Sequence, residues 1–209
     1  MVAIIDYGVG NLFSLKSSFS AIGADAVVTS SKSELERAES IILPGVGAFC
    51  DAAKKLKDSG LEDTVISLAK AGKPLMGICL GMQLLFEKSY EYGEHRGLGL
   101  IKGEIRPIET VIPKDYKIPH IGWNALNFVG RRHPLFSRLG EKEFVYFVHS
   151  YAGANCGDSL IATAEYGAPL TAAVAKKNVM GCQFHPEKSG NAGLEILRAF
   201  CGLKETDLC

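Results

Sequence analysis

The sequence has no excess charge of either sign, because its 23 Lys and Arg residues balance 23 Asp and Glu residues. A nucleic-acid-binding domain normally carries a basic excess, so this class of protein is disfavoured. Every apolar run in the sequence is far shorter than the roughly 20 residues that a membrane-spanning helix needs. The first residues, MVAIIDYG, contain an acidic residue and no basic segment, so we expect no secretory signal peptide.

The six cysteines have irregular spacings and form no C-x-x-C pair. Without a secretory signal, this pattern predicts reduced thiols in a cytoplasmic protein rather than a disulfide framework. The cysteines and the five histidines do not show the spacing of metal ligands either, so we expect neither a metal ion nor another cofactor. A chain of 209 residues with 47% hydrophobic and 22% charged residues can bury a core without such cross-links.

Strand and helix patterns alternate in the first part of the chain and give way to β segments after about residue 93. Short apolar runs predict strands at 2–6, 26–29, 40–43 and 73–78, and helical patterns occupy 12–22, 32–37, 48–57, 61–70 and 80–86. Further β segments are predicted at 97–108, 117–128, 144–148, 160–166, 172–175 and 179–184, before a closing helix at 190–200. We therefore expect an α/β fold with a mostly parallel central sheet flanked by helices and an added antiparallel β layer, in a single domain over 1–209.

Cys79 is the cysteine whose context predicts a reactive thiol. It lies in GICLG at 77–81, where an apolar predicted strand turns directly into a predicted helix, in the form of a nucleophile elbow with Cys in place of Ser. Side chains at Gly77 and Gly81 would collide in so sharp a turn. The turn would place the sulfur at the carboxyl end of the sheet and at a helix N-terminus, which favours the thiolate. Free cysteine is more commonly a small buried hydrophobe, so the interpretation requires a base nearby.

His185 and Glu187 in QFHPE at 183–187 are the best candidates for that base and its orienting group. Residues two apart in an extended chain point to the same side, and Pro186 biases the residue before it toward extended conformations. A cysteine nucleophile needs a neighbouring base, which works best when a third group holds its tautomer. The alternative is a surface histidine beside a solvated glutamate. His149 follows a strong predicted strand and could reach the same sheet edge.

The segment PGVG at 44–47 follows one predicted strand and precedes a helix. Its glycines allow backbone N–H groups to approach a ligand closely. One N–H of Val46 or Gly47, together with the N–H of Leu80 after the nucleophile, could stabilise the anionic oxygen of a tetrahedral intermediate. An ordinary strand–turn–helix connection with glycines in the turn would have the same pattern. A phosphate-binding loop is disfavoured because no complete phosphate-binding motif is present.

Three segments together resemble the class I, or triad, glutamine amidotransferases: PGVG at 44–47, GICLGMQ at 77–83 and FHPE at 184–187. The resemblance runs along essentially the whole chain, so it implies the fold of that class and one glutaminase domain over 1–209. It implies hydrolysis of L-glutamine to glutamate and ammonia, in which Cys79 forms a glutamyl thioester, His185 transfers the proton and Glu187 orients His185. It also implies that the substrate is bound by Gly45, Gln83, Ser150 and Tyr151.

The segments DYGVGNL at 6–12, HIGWN at 120–124 and FVHSY at 147–151 are most similar to one branch, the glutaminase subunits of imidazole glycerol phosphate synthases. This implies a heterodimer with a (β/α)8-barrel cyclase that uses the ammonia to make imidazole glycerol phosphate and aminoimidazole carboxamide ribonucleotide in histidine biosynthesis. The resemblance places four residues at or near that interface: Asn11, Trp123, Tyr146 and Lys188. Trp123 is the only tryptophan, and it could equally be a core aromatic.

Three other functions are compatible with parts of these patterns. The chain could be another free-standing amidotransferase subunit, such as that of anthranilate synthase or pyridoxal phosphate synthase, although DYGVGNL and IGWN argue against both. It could be a binding or assembly protein on the same fold, although such a protein has no need for all three triad groups. A cysteine peptidase or esterase would fit the His-Pro-Glu triplet less well.

Overall fold

The computed structural model describes residues 1–203, and Cys209, predicted above as a reduced thiol, lies outside them. The helices are α1 (Leu12–Ala21), α2 (Lys32–Arg37), α3 (Phe49–Asp58), α4 (Glu62–Lys70), α5 (Leu80–Leu84) and α6 (Gly190–Gly202). The strands are β1 (Val2–Ile5), β2 (Ala26–Thr29), β3 (Ser40–Leu43), β4 (Leu75–Ile78), β5 (Phe86–Ser89), β6 (His95–Arg96), β7 (Ile101–Pro107), β8 (His120–Ala125), β9 (Asn127–Phe128), β10 (Phe144–His149), β11 (Tyr151–Ala154), β12 (Leu160–Glu165), β13 (Pro169–Lys176) and β14 (Val179–Cys182).

The central sheet has the strand order β2-β1-β3-β4-β14-β13-β12-β9. The pairs from β2 to β14 are parallel, and the pairs from β14 to β9 are antiparallel, so β12, β13 and β14 form a meander. Two smaller sheets, β11-β7-β5-β6 and β10-β8, contain mostly antiparallel pairs and form the added β layer. The predicted α/β architecture is therefore confirmed.

Both faces of the parallel part of the sheet are covered. Alternate residues of a strand point to opposite faces, and all four residues of β1 are buried. Val2 and Ile4 belong to one apolar cluster, whereas Ala3 and Ile5 belong to a second cluster on the other face. Strands buried on both faces are typical of parallel sheets. Among residues 1–203, no helix has the length and apolarity needed to cross a lipid bilayer.

The prediction failed at the end of α5, which was expected to reach residue 86. The helix ends at Leu84, and Phe86 instead begins strand β5, where it pairs with Ile101 of β7. Periodicity cannot distinguish a short buried helix from a short buried strand, and here the pairing with a distant strand decides between them. The predicted segments did not include β11 either, because Tyr151–Ala154 has no alternating apolar pattern of its own.

Candidate active site

Cys79 occupies a sharp turn between β4 and α5, as predicted. Its backbone has φ +54° and ψ −113°, a conformation that residues with a side chain rarely adopt. A Cβ atom on Gly77 would lie 2.5 Å from the carbonyl oxygen of Gly81, and one on Gly81 would lie 1.9 Å from the carbonyl oxygen of Leu43. The two glycines therefore permit the close backbone approach that holds Cys79 at the carboxyl end of β4.

Strand order brings His185 to the same edge of the sheet. Strand β14 is the parallel neighbour of β4, and the N–H of Cys79 donates to the carbonyl of Cys182 at 2.8 Å. The chain that leaves β14 therefore passes beside Cys79. The N–H of His185 donates to the carbonyl of Tyr146 at 3.0 Å, and the Ser189 hydroxyl donates to the His185 carbonyl at 2.6 Å. These contacts fix the backbone of His185 on both sides.

The side chains of His185 and Glu187 form a buried pair, with 2.8 Å between Nδ1 and Oε1. His185 is extended, as Pro186 predicts, but Pro186–Lys188 forms a 3-10 turn. The pairing therefore arises from a tight turn and not from the extended chain that the sequence analysis assumed. The other carboxylate oxygen, Oε2, is buried without a hydrogen-bond partner in residues 1–203, so the carboxylate acts on the imidazole alone.

The charge state of His185 follows from its neighbours. Burial lowers the pKa of His185, but hydrogen bonds with the Cys79 sulfur and the Glu187 carboxylate outweigh that effect and raise it to about 9. His185 therefore carries a proton at neutral pH. The side chains of Cys79, His185 and Glu187 thus form one contiguous hydrogen-bonded group, the arrangement expected of a nucleophile, its base and an orienting carboxylate.

A cavity of about 300 Å³ opens above Cys79 and His185, which is within the range of small-molecule sites. Its lining includes six of the predicted oxyanion and substrate residues, namely Val46, Gly47, Leu80, Gln83, Ser150 and Tyr151. Gly45 instead lies behind the elbow, where an added Cβ would be 2.7 Å from the N atom of Gly81. Close packing explains the glycine at this position.

The loop 44–47 is anchored from below by Tyr7. The buried hydroxyl of Tyr7 donates to the carbonyl of Pro44 at 2.7 Å, and burial raises the pKa of Tyr7 so that it remains a donor. Beyond this anchor, Gly47 has φ +89°, a conformation open to glycine at no steric cost. The loop is therefore fixed at Pro44, and the backbone N–H groups of Val46 and Gly47 remain available to a ligand in the cavity.

Gln83 is held by protein groups within the cavity. Its Nε2 donates to the Tyr151 carbonyl at 3.2 Å and to Oε1 of Gln183 at 3.0 Å, and Nε2 of Gln183 lies 3.7 Å from the Cys79 sulfur. Gln183 was not predicted as a site residue. It lies in the QFHPE segment, so its proximity to His185 was the only available signal.

Glu91 was also missed by the sequence analysis. It is buried, it lines the cavity, and its Oε2 accepts the N–H of Phe49 at 2.7 Å. Burial raises the pKa of this carboxyl group. No motif surrounds Glu91 in the sequence. It reaches the cavity only through the folding of the segment after β5, so sequence reasoning had no signal for it. Across residues 1–203, no group of three or more His, Cys, Asp or Glu residues is placed to hold a metal ion.

Three of the four predicted interface residues lie together on the β8–β10 ribbon and the turn beside it. Trp123 and Tyr146 face each other across the two strands, with ring centroids 6.2 Å apart, and the Lys188 ammonium lies 6.0 Å from the Tyr146 ring. Trp123 is 55% exposed, so it is not a core aromatic. The Asn11 side chain instead caps α1 by accepting the N–H of Ser14 at 3.3 Å.

Comparison with known proteins agrees with this geometry. A family model described as Glutamine amidotransferase class-I matches residues 3–202. The imidazole glycerol phosphate synthase subunit HisH of Wolinella succinogenes is 47% identical over 203 residues, which cover 96% of this chain and 98% of that protein. The subunit of the same name from Bacillus cereus is 48% identical over 206 residues, which cover 98% and 96%.

Solved structures agree at the level of the fold. A crystal structure of a glutamine amidotransferase has a TM-score of 0.74 and 20% identity, covering 96% of this chain and 100% of that one. PurLQS from Thermotoga maritima has a TM-score of 0.71 and 20% identity, covering 96% of both chains. Such identities establish the fold alone, whereas the family model and the full-length relatives go further: the chain belongs to the class I glutamine amidotransferases, in the family of the HisH subunits of imidazole glycerol phosphate synthase.

Proposed function

We propose that this chain hydrolyses L-glutamine to glutamate and ammonia and passes the ammonia to a cyclase partner. The observation that carries the proposal is the strained Cys79 turn beside the buried His185–Glu187 pair in one cavity. The names of the full-length relatives support imidazole glycerol phosphate synthase as the assembly, and hence a role in histidine biosynthesis. The whole chain, 1–209, would then act as one glutaminase domain in the cytoplasm.

In the proposed reaction, the Cys79 thiolate attacks the side-chain amide carbon of glutamine. In this proposal the thiol proton is transferred to His185, where hydrogen bonds with Cys79 and Glu187 raise the pKa of the imidazole to about 9 and favour its charged form. When the tetrahedral intermediate collapses, the C–N bond breaks and His185 donates this proton to the departing ammonia. Water then attacks the glutamyl thioester at Cys79, with His185 as the base, and glutamate is released.

The anionic oxygen of the tetrahedral intermediate would accept the N–H of Leu80 and one N–H from Val46 or Gly47. All three residues line the cavity beside Cys79. Removal of one such donor typically lowers the rate by about 10²–10³-fold. Because Gly47 can adopt either sign of φ, the peptide before it could rotate, so we propose that docking of the partner completes this oxyanion hole.

The α-amino and α-carboxylate groups of glutamine would be bound on the opposite side of the cavity. Glu91 places a carboxyl group in the cavity lining, and the charged form of this group would suit the α-ammonium group. Gln83, Ser150 and Tyr151 would complete the binding site, with Gly45 supporting it through its close packing on the elbow.

We propose that the partner, a (β/α)8-barrel cyclase, docks as a heterodimer on the outer face of the β8–β10 ribbon. Ile121, Trp123 and Phe144 are exposed there at 57%, 55% and 53%, beside Tyr146 and Lys188. Clustered exposed apolar side chains mark interaction surfaces, and tryptophan is a frequent anchor in such surfaces. Asn11 would lie near the edge of this interface, since α1 packs against the turn that carries Lys188.

The test is glutamate release from glutamine by the chain alone and in the presence of the cyclase and its nucleotide substrate. We expect weak release alone and strong release in the complex. Cys79→Ala should abolish release, whereas Cys201→Ala, an exposed cysteine at the end of α6, should retain it. Release by the Cys79→Ala protein would refute the mechanism. Activation by an anthranilate synthase large subunit, and none by the cyclase, would refute the assigned partner.

A further inference from the structure

Two buried histidines lie side by side, and one of them, His149, lines the cavity. His120 begins β8 and His149 ends β10, and the two residues are directly opposite in the antiparallel pairing. Nδ1 of His120 lies 3.0 Å from Nε2 of His149, and Nδ1 of His149 lies 2.9 Å from the carbonyl oxygen of Tyr151. At the other end, Nε2 of His120 lies 3.2 Å from Nδ2 of Asn124. The triad uses neither histidine.

The chemistry of these groups assigns one direction to the chain of hydrogen bonds. A carbonyl oxygen can only accept, so Nδ1 of His149 carries a hydrogen and its Nε2 is the acceptor. Nδ1 of His120 must therefore donate to His149, which leaves Nε2 of His120 to accept from the Asn124 amide. The orientation of that amide is fixed independently, because its Nδ2 also donates to the Glu165 carbonyl at 2.8 Å and its Oδ1 accepts the N–H of Ala125.

The surroundings keep both rings neutral. His120 is 2% exposed and lies between the rings of Phe147 and Tyr166, at centroid distances of 4.9 Å and 4.2 Å. Burial lowers the pKa of His120 and of His149 to about 4 in each case. Every ring nitrogen of the two histidines has a partner, so neither ring has a free nitrogen with which to exchange a proton with a substrate.

These hydrogen bonds form a relay that runs from Asn124 through His120 and His149 to the carbonyl oxygen of Tyr151. Gln83 shares that oxygen as an acceptor. That oxygen accepts both Nδ1–H of His149 and, at 3.2 Å, the side-chain amide of Gln83. Both Tyr151 and Gln83 line the cavity. A change in the relay would therefore move two groups of the cavity wall together, although neither histidine forms a hydrogen bond with Cys79, His185 or Glu187.

We propose that His149 and His120 are positioning residues for glutamine binding: as a neutral, one-directional relay they hold the Tyr151 carbonyl, and through it Gln83, in the geometry that receives the substrate. The proposal rests on the proposed glutaminase function. It assigns the two rings no proton transfer, so their loss weakens substrate binding more than it slows the chemical step.

The experiment compares His149→Leu with His149→Asn in the complex with the cyclase. Leucine fills similar space but donates nothing, whereas an asparagine amide can donate from near the position of Nδ1. Loss of one buried hydrogen bond typically corresponds to about a tenfold change in an equilibrium constant. We expect His149→Leu to raise KM for glutamine roughly tenfold with kcat within about threefold of the parent, and His149→Asn to recover most of that loss.

Alkylation of Cys79 by iodoacetamide provides a second measurement, because it reports the thiolate without requiring glutamine. Its rate should be the same in the parent and both variants. An unchanged KM in His149→Leu would overturn the proposal, as would a fall in kcat at constant KM or the failure of asparagine to restore binding.

Should His149→Leu not fold, His120→Phe replaces it, because phenylalanine keeps a ring between Phe147 and Tyr166 and removes only the hydrogen bonds. We expect roughly a threefold rise in KM from this variant, and an unchanged KM would overturn the proposal. If the parent complex releases no glutamate, the proposed function fails. If the parent is active and the variants bind glutamine equally well, the relay alone fails.

Discussion

Replacing Gly81 by alanine tests whether close backbone packing creates the nucleophile turn. The added Cβ would lie 1.9 Å from the carbonyl oxygen of Leu43 and 2.8 Å from its carbonyl carbon. Leu43 ends β3, a strand hydrogen-bonded between β1 and β4, so its carbonyl cannot move without disturbing the sheet. The conflict must therefore be relieved by movement of the helix start that carries Cys79.

The magnitude follows from this geometry. Overpacking in a core typically costs about 1–3 kcal/mol, and a clash with sheet backbone belongs at the upper end, at about 3 kcal/mol. For a domain of this size, 1 kcal/mol corresponds to about 2–4 °C in Tm, so Gly81→Ala should lower Tm by about 6–12 °C. A displacement of Cys79 by about 1 Å should also lower glutaminase activity by roughly 10²-fold.

Thermal unfolding followed by circular dichroism, together with glutamate release below the transition, measures both effects. Gly202→Ala is the matched control, because its Cβ would meet no described atom within 4 Å and alanine favours the helix that it ends. We expect the control to match or exceed the parental Tm. If Gly81→Ala unfolded at the parental temperature with parental activity, packing against Leu43 would not be what shapes the turn.

Three further predictions concern stability. Asn11→Ala should lower the free energy of unfolding of the isolated chain by about 1 kcal/mol in urea, because it removes the side-chain cap of α1. Lys73→Met should lower it by about 1–2 kcal/mol, because the ammonium donates to backbone carbonyls at the end of α2, and exposed Lys70→Met should have little effect. The pKa of His185 is raised from 6.5 to about 9. The stabilisation that the charged ring adds to the free energy of unfolding is therefore complete below pH 6.5 and is lost as the pH rises through 9. The free energy of unfolding of the parent should therefore exceed that of Glu187→Gln by the largest amount at low pH, and this difference should shrink as the pH rises. A difference that grew with pH would contradict the prediction.

The sequence by itself determined the features that depend on local chain geometry. The apolar runs and helical patterns placed β2, α2 and β3 at their observed bounds. Glycines on either side of Cys79 identified the turn, because the requirement for small residues there is a property of the turn itself. The pairing of His185 with Glu187 was also local, although a 3-10 turn and not an extended chain produces it.

Only the tertiary structure decided which distant segments share the cavity. Strand order places β14 beside β4, and this adjacency brings the His185–Glu187 pair to Cys79. Glu91 and the His120–His149 relay carry no local motif, because the folding of the added β layer and the register of β8 with β10 create their contacts. Exposure of Trp123 was likewise decided by which face of the ribbon packs on the core. Side-chain periodicity assigns residues to faces, but long-range pairing determines what each face meets.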